Sequence, residues 1–279
     1  MPIDNLTQLR QWQPPYRPDA LIEDGILLPG TTLMLFGAAG SWKTMGSVHL
    51  ACCLARGEPW FGYETNPATV FMHQAELPKL QAKDRALKYI DNNHKASPNL
   101  LFYTVEDNMF IDTTYGIGEL GKQIDAVRKR AVSDLPIVVI LDPLKHYMKG
   151  HISDEYDVSA FQRNIDPIRK KQNIAFVIVH HARLTRVDNA GGVVDLGAEE
   201  IMGSSYWNNW LDTIVRLKVT NPYSGSDTVQ VTFGKHRNAQ QFHPSFTVKW
   251  RRSDLTVEVV QRDTVDDEEP TVRNLVGGE

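Results

Sequence analysis

Residues 26–57, ILLPGTTLMLFGAAGSWKTMGSVHLACCLARG, decide the fold of this chain. The run TTLMLF is continuously apolar and has the length of a buried β-strand. A glycine-bearing turn follows it, and residues 45–57 then have the pattern of a helix that ends at Gly57. We therefore predict a strand, a tight turn and a helix in succession, which is the repeating unit of α/β domains.

The turn, residues 37–44, fits the pattern G-x-x-x-x-G-K-[ST] except that Trp42 replaces the second glycine. In this pattern, backbone N–H groups and the start of the following helix converge on phosphate oxygens. The lysine reaches the outer phosphates and the hydroxyl binds Mg²⁺. We therefore predict a nucleotide-binding loop, in which Trp42 either weakens binding or packs its indole beside the base. The predicted contacts are Gly37, Ala38, Ala39, Gly40, Ser41, Trp42, Lys43 and Thr44.

Strand and helix patterns alternate further along the chain. Apolar runs within 68–76, 100–105, 135–142 and 173–181 alternate with helical patterns in 77–93, 117–132 and 160–172, the last interrupted or kinked by Pro167. The segments 211–219, 227–237, 245–250 and 255–262 instead alternate apolar and polar residues, as antiparallel strands do. We predict an α/β fold with a mainly parallel sheet, helices on its faces and antiparallel strands near the C-terminus.

Charge and composition divide the chain of 279 residues into three parts. Residues 263–279 hold six of the 34 acidic and one of the 30 basic residues, so the remainder carries about +1. We predict an N-terminal arm or linker over 1–24, an α/β domain over 25–262, and an acidic disordered tail over 263–279. The nearly neutral domain does not by its net charge predict a nucleic-acid partner.

The same composition indicates the compartment. No apolar run approaches the roughly 20 residues that span a bilayer, and the N-terminus lacks the apolar segment of a signal peptide. Adjacent residues of a helix point apart, so Cys52 and Cys53 do not predict a structural disulfide. We expect a cytoplasmic protein that does not contact a membrane.

Two carboxylates follow predicted strands at positions suited to phosphate chemistry. Asp142 ends the run IVVILD, where it would face the ligand crevice and hold Mg²⁺. Glu76 follows the strand after the loop helix, where it would activate the attacking water. Glu106 and Asp107, after the next strand, are weaker candidates for the same task.

The run AFVIVHH ends in two histidines, His180 and His181. One of them, which we assign as His180, would hydrogen-bond the γ-phosphate and report its loss. Together with His146 and His151 they lack the spacing of a metal site, and no C-x-x-C pair occurs, so the sequence does not predict a zinc centre.

Together these motifs resemble the RecA-fold ATPases, specifically the single-domain RepA-like and DnaB-like hexameric helicases. The resemblance covers about residues 27–249. It includes the strand and phosphate loop, VFMHQAELPKLQAKDRAL with Glu76, VVILDPL with Asp142, and IVHHARL followed by IMGSSYWNNWLDTIVRL. It implies a RecA-like core, ATP with Mg²⁺, a homo-oligomer that forms a hexameric ring, and sequence-independent binding of single-stranded DNA.

A fifth match concerns the subunit boundary. VTFGKHRNAQ, residues 231–240, resembles the strand-end K-x-R-N of these helicases. The resemblance implies that Lys235 and Arg237 reach the γ-phosphate bound by a neighbouring subunit, where a guanidinium stabilises developing charge.

In the same family, the loops after the Asp142 and His181 strands line the central hole of the ring. Here these are about residues 145–158 and 183–202. The candidate DNA contacts are Lys145, Lys149, Arg183 and Arg186. The second loop also contains four acids that would oppose a phosphate backbone: Asp188, Asp195, Glu199 and Glu200.

Three functions stay open. The first is an ATP-hydrolysing, ring-forming motor on single-stranded DNA, a replicative or accessory helicase of a plasmid, phage or mobile element. The second is a RecA-like recombination ATPase that coats single-stranded DNA. The third is a nucleotide-switched scaffold or regulator that does not unwind DNA, a possibility favoured by the weak overall basicity.

Overall fold

The structure is a computed structural model that describes residues 5–11, 19–94, 96–105, 109–132, 134–182, 186–187, 193–194, 201, 203, 205–221 and 226–262. Its α-helices are α1 (Leu6–Gln11), α2 (Lys43–Arg56), α3 (Lys79–Asn93), α4 (Thr114–Arg130), α5 (Glu155–Gln172) and α6 (Tyr206–Trp210). Its strands are β1 (Thr32–Gly37), β2 (Thr69–Gln74), β3 (Leu100–Thr104), β4 (Ile137–Asp142), β5 (Ala175–His181), β6 (Arg186–Val187), β7 (Val193–Val194), β8 (Thr213–Asn221), β9 (Ser226–His236), β10 (Phe246–Arg251) and β11 (Val257–Arg262).

Nine of these strands form one sheet in the order β11-β10-β9-β8-β1-β5-β4-β2-β3. The pairs from β3 through β8 are all parallel, whereas β9, β10 and β11 add in antiparallel fashion beyond β8. The predicted α/β class, with a mainly parallel sheet and antiparallel C-terminal strands, is confirmed.

Both faces of the central sheet are buried, because successive side chains of a strand point to opposite faces. On β1, Leu33 and Leu35 join the core that contains the apolar residues of α2. Met34 and Phe36 join a second core formed with α4, α5 and α6. The uninterrupted apolar runs follow from this, since each side chain of such a strand meets a helix.

The parallel arrangement gathers the strand ends at one edge. Gly37, Gln74, Asp142 and His181 are the last residues of β1, β2, β4 and β5. The carboxyl edge of an open parallel sheet is where ligands bind in such folds. The sheet therefore places the predicted phosphate loop, Asp142 and the segment containing Glu76 together.

Two details differ from the sequence-based expectations. Helix α5 begins at Glu155, five residues before the expected start, because the Asp154 side chain caps it by accepting hydrogen bonds from the N–H groups of Tyr156 and Asp157. The helix also continues through Pro167 to Gln172. Leu21 and Ile22, placed in the arm, are fully buried in the core, and Ile22 bridges to Leu27 and Thr65. Residues 21 and 22 therefore belong to the core and not to the predicted arm, and the predicted tail over 263–279 lies outside the described residues.

Within the described ranges, no helix combines the length and apolar character that crossing a membrane requires.

Candidate nucleotide-binding site

The phosphate loop joins β1 to α2, and its backbone follows the sequence pattern. A Cβ on Gly37 would lie 2.3 Å from the carbonyl oxygen of Leu217, so only glycine fits there. Gly40 has φ of 74°, a conformation that glycine adopts without strain. Lys43 begins α2, and its Nζ donates to the Ala38 carbonyl at 2.6 Å. The lysine therefore already lies over the loop where phosphates would bind.

Burial lowers the pKa of the Lys43 ammonium, and the nearby carboxylates of Asp142 and Glu76 oppose that shift. An ammonium that has lost water and faces a carbonyl gains when a phosphate replaces the missing solvent. The electrostatics of the loop therefore favour an anionic ligand.

Trp42, the departure from the pattern, has φ of 66° and ψ of 17°, the left-handed conformation. This conformation costs a side-chain-bearing residue about 1–2 kcal/mol, which explains why the pattern has glycine there. The indole stacks on Trp250 with ring centroids 5.0 Å apart, and its Nε1 donates to Asp227 Oδ2 at 2.6 Å. Arg252 donates to the other oxygen of Asp227 at 2.8 Å. The indole is therefore held on the C-terminal strands.

Asp142 is fully buried at the end of β4. Its Oδ2 accepts from Ser47 Oγ at 3.3 Å and from Gln74 Nε2 at 3.4 Å. Burial raises the pKa of its carboxyl group to about 6, against the effect of hydrogen bonds from Thr44 and Ser47. These hydrogen-bond donors carry no charge, so they do not neutralise the carboxylate, which can still bind a cation. A carboxylate beside a threonine hydroxyl is the oxygen donor set that suits Mg²⁺.

A pocket connects these groups. Its floor is the phosphate loop, and Asp142, Glu76 and His181 line it beside the strand ends. Four further lining residues come from α3, from β9 and from the connection between β10 and β11, and were not identified from the sequence: Arg85, Asp227, Arg252 and Leu255. Glu76 is exposed, and its backbone N–H donates to Gln74 Oε1 at 2.7 Å, which fixes the start of its segment.

The two histidines at the end of β5 face opposite sides of the sheet. His181 lines the pocket, and burial, followed by the charge of Lys43, lowers the pKa of its imidazole. His180 is fully buried on the other face, with its ring 6.4 Å from that of Trp207. The structure therefore does not place His180 in the pocket, contrary to the expectation for a phosphate contact, and places His181 there instead.

Lys235 and Arg237 lie at the opposite edge of the sheet from the phosphate loop of the same chain. Lys235 is paired with Ile214 at the start of β8, which runs parallel to β1. Ile214 pairs in turn with Met34, three residues before Gly37, so at about 3.3 Å per residue Lys235 lies roughly 10 Å along the strands from the start of the phosphate loop. Arg237 lies farther away, at roughly 17 Å, because its backbone N–H bonds to Asp212, whose own N–H bonds to Thr32 at the start of β1. These cations therefore do not form part of the nucleotide pocket of their own chain.

Both cations contact the end of α6. Lys235 Nζ donates to the Asn208 carbonyl at 2.5 Å, and Arg237 donates to the Asn209 carbonyl at 2.8 Å. Arg237 also contacts Asp212 Oδ1 at 3.1 Å, while 48% of its side chain stays exposed. The guanidinium is thus positioned by its own chain and accessible from outside it.

The candidate DNA contacts are only partly described. Lys145 and Lys149 are exposed and follow β4, at the same sheet edge as the nucleotide pocket. Arg186 lies in β6, which pairs with β7, but its side chain is not described. Arg183 lies outside the described residues, as do the acids Asp188, Asp195, Glu199 and Glu200 and the alternative bases Glu106 and Asp107.

Ser47 and Gln74 were also absent from the sequence-based set. A helical spacing of three from Thr44 could have identified Ser47, and Gln74 ends a strand beside Asp142. Asp227 and Arg252 had no such signal, since their contact with the loop depends on the order of the C-terminal strands.

Fold and site together define a P-loop nucleotide-binding protein with a RecA-like core. The profile of the AAA domain family matches residues 3–186, and the chain belongs to that family. A search of curated proteins found no match.

Two solved structures resemble the fold. One is a DnaB-like replicative helicase described with its interactions with primase, at a TM-score of 0.59 and 12% identity, covering 81% of this chain and 57% of that one. The other is the ATPase domain of G40P, at a TM-score of 0.57 and 11% identity, covering 84% and 86%. The chain thus spans just over half of the first structure and most of the second.

Proposed function

We propose that this chain hydrolyses ATP in a ring of identical subunits that moves on single-stranded DNA, as a replicative or accessory helicase of a plasmid, phage or mobile element. The observation that carries the proposal is the position of Arg237. Its side chain is half-exposed and is held by Asp212 and the Asn209 carbonyl of its own chain. It nevertheless lies near the amino ends of the parallel strands, whereas the phosphate loop of the same chain lies at their carboxyl ends. A site that must receive its arginine from a neighbour requires an oligomer.

The residues divide the hydrolysis between them. The loop amides and Lys43 bind the phosphates, with the ammonium leaving the Ala38 carbonyl for the ligand. Glu76 orients the attacking water and accepts its proton. His181, rather than His180, contacts the γ-phosphate from the end of β5, and from that position it couples the loop beyond to hydrolysis.

Thr44 and Asp142 would hold Mg²⁺, with Ser47 and Gln74 orienting the carboxylate. When bound, the ion would neutralise charge that develops on the phosphate oxygens. The buried Asp142 carboxylate, which accepts hydrogen bonds from the neutral groups of Ser47 and Gln74, supports this assignment.

DNA contact is assigned to the loops that leave β4 and β5. Lys145 and Lys149 are exposed and lie near the nucleotide edge, and the positive charge of Lys145 reaches His181. A ring repeats each such cation once per subunit, which provides the sequence-independent attraction that a phosphate backbone needs.

The test measures ATP hydrolysis with and without single-stranded DNA, followed by strand displacement. The proposal expects stimulation by DNA and displacement of a paired strand. Stimulation with filaments and strand pairing but no displacement would indicate the recombination ATPase, and turnover indifferent to DNA would indicate the regulator.

A mixing experiment tests the shared site. Arg237→Ala should abolish turnover and retain nucleotide binding, and Lys43→Ala should lose binding. If arginines act across subunits, mixed rings contain some intact sites, so mixing the two inactive proteins should restore part of the turnover. Wild-type turnover in Arg237→Ala, or no recovery in rings shown by size to contain both variants, would refute the shared site.

A further inference from the structure

A cluster of metal-ligand side chains lies on α2, away from the nucleotide pocket. His49 and Cys53 are four residues apart on this helix, a spacing that places both on one face. His94 follows the end of α3, and one ligand atom from each of the three residues lies within 4.8 Å of the others. Imidazole nitrogen and thiolate sulfur are ligands that soft and borderline metal ions prefer.

His94 is already oriented toward the centre of the cluster. Its Nδ1–H donates to the Glu58 carboxylate at 2.7 Å, because a carboxylate can only accept. The other nitrogen, Nε2, is thereby left as the acceptor and lies 3.0 Å from the Tyr89 hydroxyl oxygen. A histidine held by a carboxylate behind it is the usual arrangement around protein-bound zinc.

His49 and Cys53 complete the set. The His49 ring is buried on α2, and burial lowers the pKa of its imidazole to about 3. Cys53 Sγ lies 3.7 Å from His49 Nδ1 and 3.9 Å from Nε2. Zinc bonds of about 2.0–2.1 Å to nitrogen and 2.3 Å to sulfur at tetrahedral angles separate the two atoms by roughly 3.5 Å. The nearly equal distances to the two nitrogens place the sulfur beside the ring, where its S–H donates to the Pro59 carbonyl at 3.4 Å, so the Cys53 side chain must rotate toward one nitrogen to share an ion with it.

We propose that His49, Cys53 and His94 bind one Zn²⁺ ion, with the fourth corner at the position of the Tyr89 hydroxyl. This oxygen lies 2.6 Å from His49 Nδ1 and 3.0 Å from His94 Nε2, and it must retreat by several tenths of an ångström to admit the ion. As the zinc–sulfur bond forms, the Cys53 thiol releases its proton to solvent.

Such an ion would join α2 to the end of α3. α2 begins at Lys43 of the phosphate loop, so the cross-link would stiffen the helix that presents the loop. The site does not depend on ATP hydrolysis, and its test is separate from that of the proposed function.

The test uses the full chain, stripped of metal and free of nucleotide, titrated with Co²⁺ as a spectroscopic substitute for zinc. Saturation at one equivalent, with a thiolate-to-cobalt charge-transfer band and intense tetrahedral absorption, is expected. A Mg²⁺ site at Asp142 cannot give the sulfur band. Zn²⁺ should abolish the cobalt spectrum and raise the midpoint of thermal unfolding by several degrees.

The adjacent cysteine provides a matched control. Cys52 is also buried on α2 but lies outside the cluster, so Cys52→Ser should keep the sulfur band while Cys53→Ser loses it. His94→Gln, which removes one of the three ligands, should weaken cobalt binding at least tenfold. The absence of saturable binding in the wild type would overturn the proposal, as would a sulfur band retained by Cys53→Ser or lost by Cys52→Ser.

Discussion

Replacing Trp42 by glycine restores the residue that the phosphate-loop pattern has at this position. If the tryptophan were only a tolerated departure, the change would relieve a left-handed φ of 66° and stabilise the protein by about 1–2 kcal/mol. The contacts of the indole instead predict that the change destabilises the protein, because the side chain also packs on Trp250 and donates a hydrogen bond to Asp227.

The loss has three parts. The stack on Trp250 is worth about 0.5–1.5 kcal/mol, and burial of the ring contributes about 1 kcal/mol more. The hydrogen bond to the buried carboxylate of Asp227 contributes about 1.5–3 kcal/mol. After subtracting the relieved strain, Trp42→Gly should lower the free energy of unfolding by about 3 kcal/mol.

Urea unfolding followed by far-ultraviolet circular dichroism, without nucleotide, measures this change as a midpoint lowered by about 1 M. Trp42→Phe keeps the strain and the stack but loses the hydrogen bond, so its loss should be similar. Trp210→Phe is the matched control, since that indole donates at 2.8 Å to Asp166, a carboxylate that is more exposed and has other partners. It should cost less than about 1 kcal/mol.

A Trp42→Gly protein as stable as the wild type, or more stable, would refute this reasoning, because strain would then outweigh every indole contact. A Trp42→Phe protein of wild-type stability would show that the hydrogen bond to Asp227 does not stabilise the protein, and would leave the contribution of the stack on Trp250 unchanged.

Three further results are expected. Asp142→Asn should abolish turnover and stabilise the nucleotide-free protein by about 1–3 kcal/mol at pH 7, as measured by urea unfolding. The folded-state pKa of Asp142 is about 6, above the ordinary 3.8. The ionised carboxylate therefore destabilises the folded state increasingly between pH 3.8 and about 6, and fully above about pH 6. For the same reason, Mg²⁺-dependent nucleotide binding by the wild type should weaken as pH falls below about 6, as calorimetry would measure; a flat profile would contradict the assigned ligand. Glu76→Gln should retain nucleotide affinity and lose about 10²–10⁴-fold in turnover, and a smaller loss would remove Glu76 as the base.

The loop and the C-terminal strands are joined by one buried carboxylate. Asp227 accepts from Trp42 at one oxygen and from Arg252 at the other, and both Asp227 and Arg252 line the pocket. A ligand that contacts Arg252 would compete with Asp227 for its guanidinium. A ligand at that end of the pocket would therefore meet side chains that also position the indole.

The amino-acid sequence by itself determined the features that depend on neighbouring residues. A run of apolar residues predicts a buried strand, and the loop pattern predicts where Lys43 and Thr44 lie relative to it. Asp142 was predictable for the same reason, since a polar residue at the end of an apolar strand must lie at the carboxyl edge of the sheet. The parallel core and its nucleotide pocket follow from these local signals.

Only the tertiary structure decided which distant residues complete the site. The choice of His181 over His180 depends on which face of β5 meets the loop, and adjacent strand residues point to opposite faces. The partners of Trp42 depend on the register of β9 and β10, and the cluster around His49 depends on how α2 packs against the end of α3. Strand order and helix packing are set by the burial of the whole core, so no local pattern encodes them.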